Sequence, residues 1–239
     1  MSKIQAIVLA GGKGSRLRPY TTVLPKSLVP VCETPIAEVI IRQLKFYGIN
    51  NIDIATGHMS DLIKAYFKNG SNLGVNIKYV EEKEPLGTAG AIKLVKNLAD
   101  DFLVINGDTL TDMDFKELLK SHKKNKSMAT ISIKRRTVKT DFGVVESDSN
   151  GNFINYIEKP TYRTDVSLGV NILKKECQKY IKKNERIDMP DLLLRLQSKD
   201  KKVSCYKTNK TWLDLGRPED LHSAQDIFKK NEKKFMKTK

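Results

Sequence analysis

The sequence predicts an α/β fold with a mixed, mostly parallel central sheet and helices on both of its faces. Three observations carry this. Short apolar runs rich in β-branched residues alternate with segments of helical spacing through the first half. The first of these runs, Ile4 to Leu9, empties into a turn crowded with glycines. The 239 residues suffice for one sizeable α/β unit, and no linker or internal repeat divides them.

Taken in order, Ile4 to Leu9 is short and β-branched, the mark of a buried strand. Thr34-Pro35 opens a helix as a cap and a first-turn proline. Ile36, Val39, Ile40, Leu44 and Tyr47 form its apolar face, and Gly48 ends it. Ile52 to Thr56 is the next strand, Asp61 to Lys68 a helix closed by Gly70, and Val75 to Val80 an alternating strand. Ala89 to Leu98 reads as a helix, Phe102 to Asn106 as an apolar strand, Asp114 to Lys124 as a helix and Ala129 to Ile133 as a strand. The second half changes character. Phe142 to Glu146 and Phe153 to Glu158 flank Asn150-Gly151 as a hairpin. Val166 to Leu173 is a strand, and Lys175 to Lys183 and Pro190 to Gln197 are helices. Val203 to Lys207 and Thr211 to Leu215 are short strands, and Arg217 to Lys230 is a last helix. The charged run from Lys229 to Lys239 is expected to fray.

Composition narrows the function classes. No apolar run approaches the roughly 20 residues of a membrane span, and Met1-Ser2-Lys3-Ile4 shows no signal-peptide pattern. Cys32, Cys177 and Cys205 are too widely spaced for a disulfide framework or a metal motif, so a cytoplasmic protein is expected. The formal net charge of +15 invites polyanions. The lysines are spread over helix faces and the tail, however, and no nucleic-acid-binding signature accompanies them. The three histidines, His58, His122 and His222, fall in no catalytic spacing; His122, beside a lysine run, reads as part of a solvated face.

The stretch from Leu9 to Lys26 carries the chemistry. Leu9-Ala10-Gly11-Gly12-Lys13-Gly14-Ser15 would expose several backbone N–H groups in one turn, the kind of concavity that binds phosphate. Lys13, Arg16, Arg18 and Lys26 surround it with positive charge. The dinucleotide fingerprint fails because Leu17 takes the place of its third glycine. The P-loop fails because Gly14 follows Gly12-Lys13. Glycines and cations after a first strand suggest a nucleoside triphosphate site of another kind, with an ordinary strand-exit turn in a solvated cationic loop as the plain alternative. Asp108 ends an apolar strand at the edge where open sheets bind ligands, and a carboxylate there suits Mg²⁺. Read alone, a turn or N-cap role is the commoner one for such an Asp.

Gly11, Gly12, Gly14, Arg16, Leu17, Pro19, Thr21, Pro25 and Lys26 together resemble the signature of the sugar-1-phosphate nucleotidylyltransferases. Further motifs agree. Gly107-Asp108 resembles the family's Gly-Asp, Trp212-Leu213-Asp214-Leu215-Gly216 its Trp-x-Asp-x-Gly, and Glu158-Lys159-Pro160 its Glu-Lys-Pro. The resemblance spans Ile4 to about Leu221. It implies a three-layer Rossmann-like nucleotidyltransferase fold, a single domain over 1–239 with a nucleotide-binding half (1–135) and a sugar-phosphate-binding half (136–225). It also implies transfer of a nucleotidyl group from an NTP to a sugar 1-phosphate, with release of pyrophosphate.

The resemblance assigns roles residue by residue. Arg16, Lys26 and Asp108 would be catalytic, and Asp108 and Asp214 would hold Mg²⁺. Leu9, Ala10, Gly11, Gly12, Gly14, Ser15, Glu82, Gly87 and Thr88 would bind the nucleotide. Gly143, Glu158, Lys159, Ser167 and Gly169 would bind the sugar phosphate. Ser167 departs from the Asn common in the family, which leaves the sugar open. Pro85-Leu86-Gly87-Thr88-Ala89-Gly90 resembles the base loop of the guanylyltransferase branch. Glu82 stands where the thymidylyl branch carries a base-reading Gln, with Glu81 and Glu84 as neighbours. A carboxylate can accept both adjacent donors of guanine, so GTP is favoured. Alternatives are a uridylyl-, thymidylyl- or cytidylyltransferase, a non-catalytic sensor of NDP-sugar, and a polyanion-binding protein. The expected partners are NTP and sugar 1-phosphate, with no membrane and no nucleic acid; homo-oligomer assembly stays open.

Overall fold

The computed structural model describes residues 4–216 and 218–237, and of Glu219 the backbone only. Its elements run β1 (Gln5–Leu9), β2 (Pro30–Val31), β3 (Thr34–Pro35), α1 (Ile36–Phe46), β4 (Asn51–Thr56), α2 (Ser60–Phe67), β5 (Asn76–Glu81) and α3 (Gly87–Gly90). Then follow β6 (Asp101–Asn106), β7 (Thr109–Thr111), α4 (Phe115–Asn125), β8 (Ala129–Lys139), β9 (Val144–Ser147), β10 (Phe153–Ile157) and β11 (Thr161–Lys174). The chain closes with α5 (Met189–Gln197), β12 (Val203–Lys207), β13 (Trp212–Asp214) and α6 (Pro218–Met236).

Seven strands form the central sheet in the order β12-β8-β11-β6-β1-β4-β5. Strand β11 runs antiparallel to β6 and β8, and every other pairing in this sheet is parallel. Alternate residues feed the two faces, as the two-residue period of a strand requires. Ala6 and Val8 of β1, with Leu103 and Ile105 of β6, pack against α1, α2 and α6 through Ile40, Leu44, Phe67 and Phe228. Ile7, Phe102 and Val104 face the other way, onto Ile92, Leu192 and Leu196. The expected mixed, mostly parallel three-layer α/β fold is therefore present.

Several local expectations are corrected. Thr34-Pro35 does not cap α1; both residues pair with Pro30–Val31 in a short ladder, and Pro35 stands at the N-cap without a side-chain bond. The helix expected over Ala89 to Leu98 is only α3 and a 3-10 turn, Ala91–Leu94. Gln178 Nε2 donates to the carbonyls of Ile92 (2.7 Å) and Val95 (2.9 Å), which takes the chain out of helical pairing. The helix expected over Lys175 to Lys183 is a run of 3-10 turns, Lys175–Tyr180. Strands β8 and β11 extend well beyond their expected spans, with a register shift between Ser167 and Asn171. Within the run expected to fray, α6 continues to Met236 and Phe235 is fully buried; residues 238–239 lie outside the described residues. Arg217, the expected start of this helix, lies outside the described residues.

His122 is not on a solvated face. It is fully buried, with Nδ1 2.8 Å from Thr130 Oγ1 and Nε2 3.4 Å from Asp101 Oδ1. Burial lowers its pKa, partly offset by the Asp101 charge. The unfolded chain therefore takes up a proton near the ordinary value of about 6.5 that the folded chain resists. Stability is expected to fall as pH drops from 7 to 5, and His122→Gln to flatten that fall. Melting temperatures across this range check it; identical slopes for the two proteins would exclude the effect.

Candidate active site

The glycine loop begins where three strand ends meet. Ala10 N–H donates to the Ala55 carbonyl (2.8 Å), and Gly107 N–H donates to the Leu9 carbonyl (2.9 Å). The exits of β1, β4 and β6 are thus stitched side by side, at the carboxyl edge where open α/β sheets bind ligands. Gly14 adopts φ +62°, and a Cβ there would press on Thr21 Cγ2 at 2.8 Å and Lys26 Cβ at 3.0 Å. Thr21 Oγ1 donates to the Gly14 carbonyl at 2.8 Å. Gly14, Thr21 and Lys26 are therefore one packed unit, although twelve positions separate its ends.

Two carboxylates are brought to this edge by a short ladder. Strand β13 pairs antiparallel with β7, placing Asp214 opposite Thr109, and Leu215 N–H donates to the Asp108 carbonyl (3.1 Å). Lys26 Nζ is ion-paired with Asp108. Gly216 shows how tightly the remaining groups gather. A Cβ there would lie 3.0 Å from Asp214 Oδ1, 3.2 Å from Arg16 Nη2 and 3.2 Å from Lys26 Nζ. Burial raises the Asp214 pKa, and the Asp108 charge adds to the rise against Lys26 and Arg16.

Arg16, Lys26, Asp108 and Gly216 line a cleft of about 750 Å³, while Asp214 is not among its lining residues. Leu9, Ala10, Gly11, Gly12, Gly14 and Ser15 line it beside them, as do Glu82, Gly87 and Thr88. The sequence expectation did not include Gly57, His58 and Gly216, which line it too. Gly216 was legible within the Trp-x-Asp-x-Gly motif, whereas His58 carries no sequence signal.

The part of the lining formed by Glu82, Gly87 and Thr88 is built from three segments. Glu82 Oε2 accepts from Leu86 N–H (2.8 Å), while Oε1 lies 2.8 Å from where a Cβ of Gly11 would be. Burial raises the Glu82 pKa, and the Leu86 N–H partly offsets this. Asp188 Oδ1 accepts from Thr88 N (2.9 Å) and Thr88 Oγ1 (3.2 Å), and Thr88 Oγ1 accepts from Met189 N (2.7 Å). The Ile187 carbonyl accepts from Ala89 N and Gly90 N. Asp188 and Ile187, a hundred residues away, hold the loop, and no local pattern points to them.

Gly87 adopts φ +76°, and a Cβ there would sit 2.6 Å from the Ile187 carbonyl oxygen. Backbone in the left-handed region costs an L-residue ~1–2 kcal/mol, before any clash. Gly87→Ala is expected to lower the melting temperature by several degrees and weaken nucleotide binding. Gly12→Ala, whose Cβ would meet nothing within 4 Å, is expected to leave the melting temperature in place. Equal melting temperatures for both variants would contradict the packing argument.

The sugar-phosphate set is dispersed. Gly169, at φ +68°, is packed against the Asn106 side chain at the end of β6, close to the carboxylates. Gly143 faces the Tyr156 hydroxyl, which donates to Glu158 Oε2 (3.0 Å), and Lys159 Nζ lies 3.8 Å from Glu158 Oε1. Gly143, Glu158, Lys159, Ser167 and Gly169 are not among the residues lining the cleft.

The arrangement is a glycine loop at a parallel sheet edge, with two carboxylates and two cations gathered at Gly216 and Lys26. The family model described as Nucleotidyl transferase matches residues 5–231, and the chain belongs to that family. It is 33% identical to a D-glycero-alpha-D-manno-heptose 1-phosphate guanylyltransferase of Campylobacter jejuni, over 92% of this chain and 97% of that protein. It is 30% identical to a UTP–glucose-1-phosphate uridylyltransferase of Synechocystis, over 92% of this chain. The chain spans 62% of that protein's length, and less than two thirds of several other curated relatives. Among solved structures, HddC from Yersinia pseudotuberculosis complexed with GMP-PN superposes with a TM-score of 0.73 at 26% identity, over 95% of this chain and all of that one.

Proposed function

We propose that this chain transfers a nucleotidyl group from an NTP, with GTP favoured, to a sugar 1-phosphate, giving NDP-sugar and pyrophosphate. The observation that carries the reading is the gathering of Arg16, Lys26 and Asp214 around Gly216, with Asp108 bound to Lys26, at the side of a glycine-lined cleft. Relatives whose names include guanylyl- and uridylyltransferases of sugar 1-phosphates support the reaction class.

A sugar phosphate oxygen attacks the α-phosphorus in line, and the P–O bond to the pyrophosphate breaks. Such chemistry needs positioning and charge stabilisation more than covalent work by the protein. The glycine loop's N–H groups hold the triphosphate. Arg16 neutralises charge growing on the departing pyrophosphate, and Lys26 holds the reacting phosphates against their repulsion; Lys159, whose role for the sugar phosphate rests on the resemblance, lies outside the cleft lining. Asp108 and Asp214 fit Mg²⁺: they meet at one ladder end, and the Asp108 charge already disfavours ionisation of Asp214. Among the described residues no third His, Cys, Asp or Glu completes a metal cluster, which suits an ion that takes few protein carboxylates and adds substrate phosphates. When bound, the ion supplies Lewis-acid neutralisation of phosphate oxygens. Among the described residues no helix is long and apolar enough to cross a membrane. The three cysteines are free thiols, which supports a cytoplasmic enzyme.

A matrix of NTPs against sugar 1-phosphates, read by pyrophosphate release, tests the reaction, and no release from any pair would exclude it. The same matrix tests the base. Glu82 retains acceptor capacity beyond its bond to Leu86 N–H, and Glu82→Gln replaces one acceptor by a donor. The variant is expected to lose ~1–3 kcal/mol of GTP preference. A wild type that prefers UTP or dTTP would remove the guanine assignment and leave the reaction.

A further inference from the structure

The turn that lines the cleft at Gly87 and Thr88 is not held by its own sequence. Helix α3 is a single turn of four residues with a glycine at each end. A helix this short has no stability of its own, and glycines leave its backbone free. Its shape is imposed from the segment that opens α5. Ile187 N–H donates to the Leu86 carbonyl (2.9 Å), and the Ile187 carbonyl accepts from Ala89 N–H (3.0 Å) and Gly90 N–H (3.1 Å). These main-chain bonds dock the ends of the turn. They leave Gly87 and Thr88, the two α3 residues that line the cleft, to other partners.

Asp188 supplies that partner. It stands at the N-cap of α5, where an aspartate commonly accepts from the N–H groups of its own helix, yet its side chain makes no such bond. Its Oδ1 turns instead to Thr88, accepting from the backbone N–H (2.9 Å) and from Oγ1 (3.2 Å). Thr88 Oγ1 in turn accepts from Met189 N–H (2.7 Å), the first N–H of α5. Pro190, which follows, has no N–H to satisfy. The two segments cap each other, as the two residues of a capping box do within one helix, but across a hundred positions. The exchange also commits the Thr88 hydroxyl: its single proton goes to Asp188, and a lone pair takes the Met189 N–H. Asp188 itself is exposed and is not among the residues lining the cleft.

We propose that Asp188 is a positioning residue for the nucleotide: through Thr88 it fixes the turn that lines the cleft, and Thr88 serves the nucleotide by holding that turn rather than by a hydroxyl contact. The inference rests on the nucleotidyl-transfer reading. It concerns affinity for the NTP and not the reacting phosphates, because Arg16, Lys26 and Asp214 gather around Gly216 on other segments of the chain. The clamp is separable from the fold. Removing the Asp188 carboxylate empties no core site, and the main-chain bonds of Ile187 to Leu86, Ala89 and Gly90 stay in place.

Steady-state pyrophosphate release, with the NTP that wild type prefers and the sugar 1-phosphate varied in turn, tests it. Asp188→Ala is expected to raise the KM for NTP at least about tenfold, the scale of a lost bond to a charged acceptor. Its kcat and its KM for sugar 1-phosphate are expected to stay within about threefold of wild type. Asp188→Asn keeps the size of the side chain and an acceptor for Thr88 N–H, and is expected to fall between the two. Thr88→Ala is expected to match Asp188→Ala, and the double variant to be no worse than either, because each change removes the same device. Titration calorimetry with the same NTP reads the Kd without turnover, and circular dichroism checks the fold. An Asp188→Ala that keeps the wild-type KM and Kd for NTP, whatever its melting temperature, would overturn the proposal and leave the reaction standing. So would losses that multiply in the double variant, which would put the Thr88 hydroxyl on the nucleotide. A wild type that releases no pyrophosphate from any pair would remove the reaction and this role with it.

Discussion

Asp108→Asn is expected to lower turnover by ~10²–10³ while the protein stays folded. The side chain keeps its size and loses its charge. The Asp108 carbonyl still accepts from Leu215 N–H, so the β7–β13 ladder that presents Asp214 survives. Lys26, however, loses its anionic partner. With one carboxylate left, Mg²⁺ would be held weakly, and the charge neutralisation it would supply to the reacting phosphates would be lost. Pyrophosphate release at saturating Mg²⁺, alongside a melting curve, decides the matter. Near-wild-type turnover would remove the metal role from Asp108.

Phe235→Ala is expected to destabilise the fold by ~3–5 kcal/mol, the usual cost of emptying an aromatic core site. Phe235 is fully buried and stacks on Phe228 with ring centroids 5.6 Å apart. Its carbonyl accepts from Gln43 Nε2 at 2.8 Å, and the same nitrogen donates to the Thr111 carbonyl at 2.7 Å. Lys237 Nζ lies 5.3 Å from the Tyr47 ring centroid. The last turns of α6 are thereby bolted to α1 and to β7. Urea unfolding measures the effect. A change below ~0.5 kcal/mol, the scale of an ordinary surface substitution, would mean that this segment frays in solution.

The contrast at Phe235 explains what the sequence disclosed. Leu221, Ala224 and Phe228 mark the helix at helical spacing, but Lys229, Lys230, Lys233 and Lys234 crowd the positions before Phe235 and mask its continuation. Its anchor, Gln43, lies almost two hundred residues earlier and gives no local signal. The parallel strands were legible because burial on both faces writes nearly continuous apolar runs. The glycine loop was legible because Gly14 needs positive φ and leaves no room for a Cβ. The truncation of the helix after Gly90 was not, since the group that ends it, the Gln178 amide, arrives from the second half. Asp108 and Asp214 were identifiable as motif residues. That Gly216 would be their meeting point with Arg16 and Lys26 required coordinates.

The three-residue ladder between β7 and β13 also sets an order of events on the ribosome. Arg16, Lys26 and Asp108 leave the exit tunnel long before Asp214 does. Antiparallel β11 must also slot between β6 and β8 before the sheet is whole. A nascent chain that stops short of Asp214 can shape the glycine loop but holds only one of the two carboxylates. The carboxylate pair thus arrives only with the last strand synthesised, and a translation product truncated before Asp214 cannot carry it.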